Sequence, residues 1–247
     1  MFDVLEGIII DHRDYREQDA LLTLLDIQGR CISISAKGIQ KVKSKNAPAC
    51  QLFSHSRMLL NYQETRDMQS LRTAELLDSF RLIREDLMKQ SIASYFCEVM
   101  LKSRFDDKEA YVMLYTALQI LQDAEDGMTI LCLFQALINR MHGVEMVCDH
   151  CVRCGTQHAI YAISLRDGGF ICRQCAKSFD KAYHREDLKR FRLLANAQLE
   201  HYSIMEDLGG LRYHHFELLY NFFEEYTGLS MKSARFLSIL NHMEKNS

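Results

Sequence analysis

The sequence predicts an α+β protein: a small N-terminal β-barrel, then a mainly α-helical region with a cysteine-rich module inserted into it. Three observations carry this. Five short apolar, β-branched runs crowd the first eighty residues, the apolar period becomes helical from about Leu76, and five of the nine cysteines fall between Cys148 and Cys175.

The strand-like runs are Val4–Ile10, Ala20–Ile27, Arg30–Ala36, Ser56–Tyr62 and Asp67–Thr73. Gln28–Gly29 is a tight-turn signal between the second and third, which are expected to form a hairpin. Cys31–Ser35 alternates with period two, as a strand with one buried face does. Five strands in so short a stretch, with a loop around 37–50 that holds the one proline, Pro48, suit a Greek-key barrel of the OB-fold type over residues 1–80.

Helical stripes follow. Met88, Ile92, Tyr95/Phe96 and Val99 form one; Ala110, Met113/Leu114, Ala117/Leu118 and Leu121 a second; Ile130, Leu133/Phe134, Leu137/Ile138 and Met141 a third, bracketed by Gly127 and Gly143. Leu211, His215, Leu218/Leu219, Phe222 and Tyr226 mark another helix near the end. The expected division is a helical domain over 81–147, the cysteine module over 148–178 and the helical domain continued over 179–247.

An odd number of cysteines, with no basic stretch ahead of an apolar segment at the N-terminus, argues against a disulfide framework and for a chain that stays in the cytoplasm. The longest apolar runs are too short to cross a bilayer, so no membrane partner is expected. The module itself reads Cys151-x2-Cys154-x17-Cys172-x2-Cys175. Each knuckle places two thiolates on one tight turn, and four soft ligands in a tetrahedron are what one structural Zn²⁺ takes. Gly155 gives the first knuckle backbone freedom, and Gly168–Gly169 mark a turn between strands at Ala159–Leu165 and Gly169–Cys172, the pattern of a zinc ribbon. Cys148 also stands at knuckle spacing from Cys151; it reads as a buried or spare thiol, and His150 and His158 are weaker substitute ligands. A catalytic zinc keeps one position open, and a deaminase site needs a His-x-Glu or Cys-x-Glu box ahead of a Pro-Cys-x2-Cys knuckle. Neither condition is met: Cys97–Glu98 reads as core plus solvated face, and neither knuckle follows a proline.

Net charge is −3, but its distribution is uneven. From Gln28 to Arg66 there are seven basic residues against one acid, Glu64, and from Glu145 to Arg192 nine against six. Lys37, Lys41, Lys43 and Lys45 share the loop beside the barrel with no acid near them in sequence. A single lysine there would be a solvated side chain; four shift the reading to phosphate binding. The barrel aromatics Phe2, Tyr15, Phe53, Tyr62 and Phe80 offer few platforms near those lysines, so the expected grip is electrostatic and leaves base edges free to pair.

The order of these features resembles the RecO family of bacterial recombination-repair mediators. The residues carrying the resemblance are Gly7–Ile10, Asp14–Asp19 with Leu21–Leu25, Gly29–Arg30, Ala36–Gly38, Lys43–Lys45, Ala74–Glu75, Gly143, the two knuckles, and Leu229–Leu237 with Lys232–Ser233. Single pieces such as Ala-Lys-Gly are weak; their order is specific. The resemblance implies a non-enzymatic protein that binds single- and double-stranded DNA and anneals complementary strands. It further implies partnership with RecR and single-strand-binding protein in loading RecA, and a cytoplasmic, nucleoid-associated place. Arg30, Lys37, Lys43 and Lys45 match basic positions of the family's barrel, and Lys41 joins them by spacing alone. Two departures stand at the ribbon entry: Cys148 where the family commonly has an aliphatic residue, and Met146 where proline is common. The competing expectations are a zinc-ribbon adaptor that binds only proteins and a zinc-dependent enzyme acting on nucleotides, the latter disfavoured by a saturated ligand set.

Overall fold

The computed structural model describes residues 2–244. Its five N-terminal strands are β1 (Phe2–Tyr15), β2 (Asp19–Asp26), β3 (Cys31–Ala36), β4 (His55–Asn61) and β5 (Met68–Asp78). They close into a barrel of order β1-β2-β3-β5-β4, antiparallel throughout except for the β3–β5 pairing that seals it. This is the OB-type barrel that the strand spacing predicts. β1 pairs with both β2 and β4, and a bulge between Ile9 and Asp11 bends it to do so. It runs five residues beyond the expected Ile10, because Asp11–Tyr15 pair with Asp19–Thr23 outside the apolar interior and carry no apolar alternation. Gly7 is required where β1 crosses β2, since a Cβ there would lie 2.1 Å from the Leu25 carbonyl oxygen.

The barrel interior is packed by Leu5, Ile9, Leu22, Leu24, Ile34, Met58 and Leu60, among others, and Ile39 of the following loop is drawn into the same cluster. The β2–β3 turn is held by Asp26, buried to 1% exposure, which accepts from the Gln28 and Arg30 amides. Gly29, with φ of 86°, faces Asp107 so closely that any side chain would collide with its carbonyl.

The helices are α1 (Arg81–Arg84), α2 (Leu87–Ser103), α3 (Lys108–Asp123), α4 (Met128–Met141), α5 (Arg185–Leu194), α6 (Tyr202–Asp207), α7 (Tyr213–Thr227) and α8 (Lys232–Glu244). Asp86 and Asp107 cap α2 and α3 by accepting from the Lys89 and Ala110 amides, as N-cap carboxylates do. Between α4 and α5 lie the ribbon strands β6 (Ile160–Ser164), β7 (Gly169–Cys172) and β8 (Lys181–Ala182), ordered β7-β6-β8.

The chain divides into two compact units, and the division differs from the expected boundaries at 80, 147 and 178. One unit runs through Glu125 and regains the chain from Met231; the other spans Asp126–Ser230. Helices α2, α3 and α8 therefore group with the barrel, not with α4–α7. The reason lies partly in Glu98, which is no solvated face: it accepts from the Lys232 and Ser233 amides at 3.0 and 2.8 Å and from the Ser233 hydroxyl at 2.6 Å. Its carboxylate caps α8 and fixes that helix to α2. Burial opposes its charge, yet Lys102 and the Ser233 and Lys232 donors outweigh it and pull its pKa down to about 2.

In the second unit α4 is buried nearly all round. Its three buried polar residues are satisfied: the Thr129 hydroxyl accepts from the Leu211 amide at 2.9 Å, Gln135 donates to Asn139 at 2.6 Å, and Asn139 donates to the Leu219 carbonyl of α7 at 3.1 Å. Tyr226 of α7 donates to the carbonyls of Leu165 and Arg166, tying α7 to the turn between β6 and β7.

Candidate nucleic-acid surface and metal centre

The loop after β3 is pinned, not slack. The Gly38 amide donates to Asp19 at 2.8 Å, Gln40 donates to Asp14 at 2.6 Å, and the Gln40 amide donates to the Gln18 carbonyl. Ile39 is 3% exposed among the barrel core residues. At the far end Asn46 pairs with β5, donating to the Arg72 carbonyl and accepting from the Ala74 amide, and a 3-10 turn at Pro48–Cys50 returns the chain to β4. Between these pins the backbone makes consecutive turns that present Lys37, Lys41, Lys43 and Lys45, all exposed, with Val42 fully exposed among them. No carboxylate lies within ion-pair distance of any of the four, among the described residues. Asp14 and Asp19, which the loop does touch, are engaged by the Gln40 side chain and the Gly38 amide.

Arg30 is placed differently. Its guanidinium pairs with buried Asp26 at 2.6 and 2.8 Å, and this contact raises its pKa. The charge is largely neutralised and the side chain locks the β2–β3 turn. Arg30 lines a groove of mixed sign with Arg13, Arg104, Asp11 and Asp106, so its geometry is that of a structural staple more than of a free phosphate contact. Arg57 is likewise bracketed by Glu6 and Glu75. Of the barrel aromatics weighed in the sequence, Tyr15 is 42% exposed with the Arg16 guanidinium 5.1 Å above its ring. It pairs with Asp19, which in turn holds Gly38, so an aromatic face stands next to the lysine loop. Only the hairpin pairing reveals that neighbourhood.

The structure brings Cys151, Cys154, Cys172 and Cys175 together, with their sulfurs all within 4.8 Å of one another, and none is disulfide-bonded. Cys154 and Cys172 Sγ are 3.7 Å apart. A tetrahedron with metal–sulfur bonds of about 2.3 Å has edges of about 3.8 Å, so the donor set fits a four-thiolate metal centre. Burial opposes ionisation of Cys151, but backbone amides around the two knuckles more than offset it and favour its thiolate, while hydrogen bonds to the neighbouring sulfurs hold Cys175 as a thiol when no ion is bound. Cys148 lies outside the cluster; it is 3% exposed, and burial pushes its thiol up to about 12.

Arg153, inside the first knuckle, clamps the ribbon. It reaches Asp167 on the β6–β7 turn, Asp180 before β8, and the Cys175 carbonyl at 2.7 Å. The Asp180 side chain is fully buried and also accepts from the Lys177 amide at 2.8 Å. A second cluster, Asp187 with His214 and His215, has ligand atoms within 4.8 Å of one another. Its hydrogen bonds are internally complete: His215 Nδ1 accepts from the Arg212 amide at 3.0 Å, leaving Nε2–H to donate to Asp187 at 3.1 Å. Burial, then the neighbouring His214, lower the His215 pKa to about 4, so this histidine is a neutral core group.

Comparison with known proteins matches residues 1–80 to the family described as Recombination protein O N terminal and residues 84–235 to Recombination protein O C terminal. The chain is similar to a protein named DNA repair protein RecO from Bacillus subtilis, 29% identical over 99% of this chain and 97% of that protein. It is similar to proteins of the same name from Bacillus pumilus, 29% identical over 97% and 95%, and from Halalkalibacterium halodurans, 26% identical over 98% and 97%. Matched in both its parts and along nearly its whole length, this chain belongs to the recombination protein O family.

Proposed function

We propose that the protein is a DNA-binding recombination mediator without catalytic turnover, one that holds single- and double-stranded DNA by its phosphates and anneals complementary strands. The observation that carries this reading is the pinned loop with four exposed lysines and no carboxylate partner. A cation already paired gains little from a phosphate, whereas each free lysine releases a condensed counterion when it binds one. Four such contacts on single-stranded DNA correspond to a slope of log K against log[salt] of about −3. The binding leaves base edges accessible, and the exposed Tyr15 ring adds a single stacking face of about 1–3 kcal/mol.

The zinc ion belongs to the same reading. Cys151, Cys154, Cys172 and Cys175 would hold it, and with all four positions taken by thiolate its role is to fold the ribbon. Partnership with RecR and single-strand-binding protein in loading RecA, and a cytoplasmic, nucleoid-associated location, come to this chain from its family. Among the described residues no helix is long and apolar enough to cross a membrane.

The test is strand annealing by the full chain against the Lys37→Glu/Lys41→Glu/Lys43→Glu/Lys45→Glu variant. Loss of annealing with an unchanged thermal transition supports the mediator. Wild-type protein without annealing activity would instead identify an adaptor that binds only proteins, and loss of activity on metal removal with the lysines intact and the fold preserved would identify a zinc-dependent enzyme.

A further inference from the structure

A second cationic surface lies wholly within the other unit. The ribbon and α5 enclose an open groove of 620 Å³ whose walls carry Arg173, Arg185, Lys189 and Arg192, with no carboxylate residue lining it. We propose that this groove is a second single-stranded nucleic-acid site, which rests on the reading of the chain as DNA-binding and gives it a second strand to hold.

The side chains are arranged for an anionic chain. Arg173 carries no carboxylate partner among the described residues and stacks on the Tyr161 ring at 4.6 Å, a plane of the kind on which bases stack. Arg192 is aimed by the Cys148 and Asp149 carbonyls, which its Nε and Nη2 approach at 2.9 and 3.4 Å. Carbonyls orient a guanidinium without neutralising it, so its charge stays available to phosphate. Arg185 is exposed and, among the described residues, has no carboxylate within ion-pair distance; Lys189 is paired with Glu186 at 2.8 Å on the exposed face of α5. The half-buried Tyr183 supplies a second ring. A groove with cations on its walls and rings between them suits a single strand: a duplex, whose bases are stacked inward, would meet only the rim.

Because the groove and the barrel loop belong to different units, the arithmetic is testable. Four phosphates at the loop and three in the groove, at the unpaired Arg173, Arg185 and Arg192, give a combined slope of about −5 on a long oligothymidylate. The Arg173→Gln/Arg185→Gln/Lys189→Gln variant leaves Arg192 in its structural place, and full zinc content shows that the ribbon is intact. It is expected to flatten the slope by about 1.4 units, from the two unpaired arginines, and to slow annealing of two oligonucleotides more than binding of one. An unchanged slope in this variant, while the loop variant flattens its own, would overturn the groove and leave the loop standing. A flattened slope here with none in the loop variant would support the groove and remove the loop. If polyglutamate is displaced from the wild type and not from the groove variant, while oligothymidylate binding is the same in both, the groove takes acidic peptide and the proposal fails.

Discussion

The barrel and the ribbon each present cations to solvent, but they are held together by different means. Eleven described residues form the buried interior of the barrel, and the lysine loop borrows from it through Ile39. The buried cluster of the ribbon is Cys151, Ala162, Ile171 and Cys172, half of it metal ligands. At about 25 cal/mol per Å² of apolar surface, a cluster of that size cannot offset the ordering entropy of some thirty residues. Cohesion in the ribbon would therefore rest on a metal held by the four sulfurs and on the Arg153 clamp, whereas the barrel has a larger apolar interior. A positively charged surface can be mounted on either foundation, but only one of them would draw on a bound ion.

The largest expected effect breaks the comparison outright. Stripping the metal removes on the order of 10–16 kcal/mol of binding free energy from the ribbon. Amide exchange should then become fast over 151–182 and remain slow over β1–β5. Equal protection of both regions after complete stripping would show that the ribbon has a sufficient core after all.

Arg153→Ala comes next. It leaves the buried Asp180 carboxylate without its cation, which is expected to destabilise the second unit by about 3 kcal/mol. Zinc affinity should fall as well, since the same guanidinium holds the Cys175 carbonyl. A chelator-competition titration reads the second effect separately from the thermal transition.

Acid sharpens the contrast, because each unit has its own titrating group. His215 is faced by His214, Asp187 and Arg190, and its folded pKa of about 4 lies below the ordinary 6.5. The unfolded chain therefore binds the extra proton first, and stability that is complete above pH 6.5 is lost as pH falls toward 4. In the barrel unit Glu98 faces Lys102 and the Ser233 hydroxyl, with its pKa moved from 4.5 to about 2, so its contribution is present above pH 4.5 and lost between there and 2. Hydrogen exchange across pH 7 to 4 should loosen α7 before α8. His215→Phe should abolish the earlier step, and loosening of α8 first would contradict the assignment.

The smallest expected change in stability is at the loop. Glutamate at any one of the four lysine positions should alter folding stability by no more than about 0.5 kcal/mol, as for surface sites with no partner to lose. A larger loss would mean that the lysines hold the barrel instead of facing a ligand.

Local chemistry in the chain by itself determined much of this protein. Period-two alternation and the Gln28–Gly29 turn specify a barrel, because strand faces are read from adjacent residues. Two knuckles specify a four-sulfur centre, because a tight turn fixes the separation of thiolates two residues apart. The lysine spacing marks the loop for the same reason. Only the tertiary structure decided which charges remain free. Arg30 has the same formal charge as Lys43, yet Arg30 is paired with a buried aspartate four residues away, while Lys43 has no carboxylate within ion-pair distance among the described residues. Glu98 became the cap of a helix more than 130 residues later, and the ribbon cations met across a groove. An ion pair or cap falls off within a few ångströms, so its existence depends on what folding brings alongside, and no pattern along the chain contains that distance.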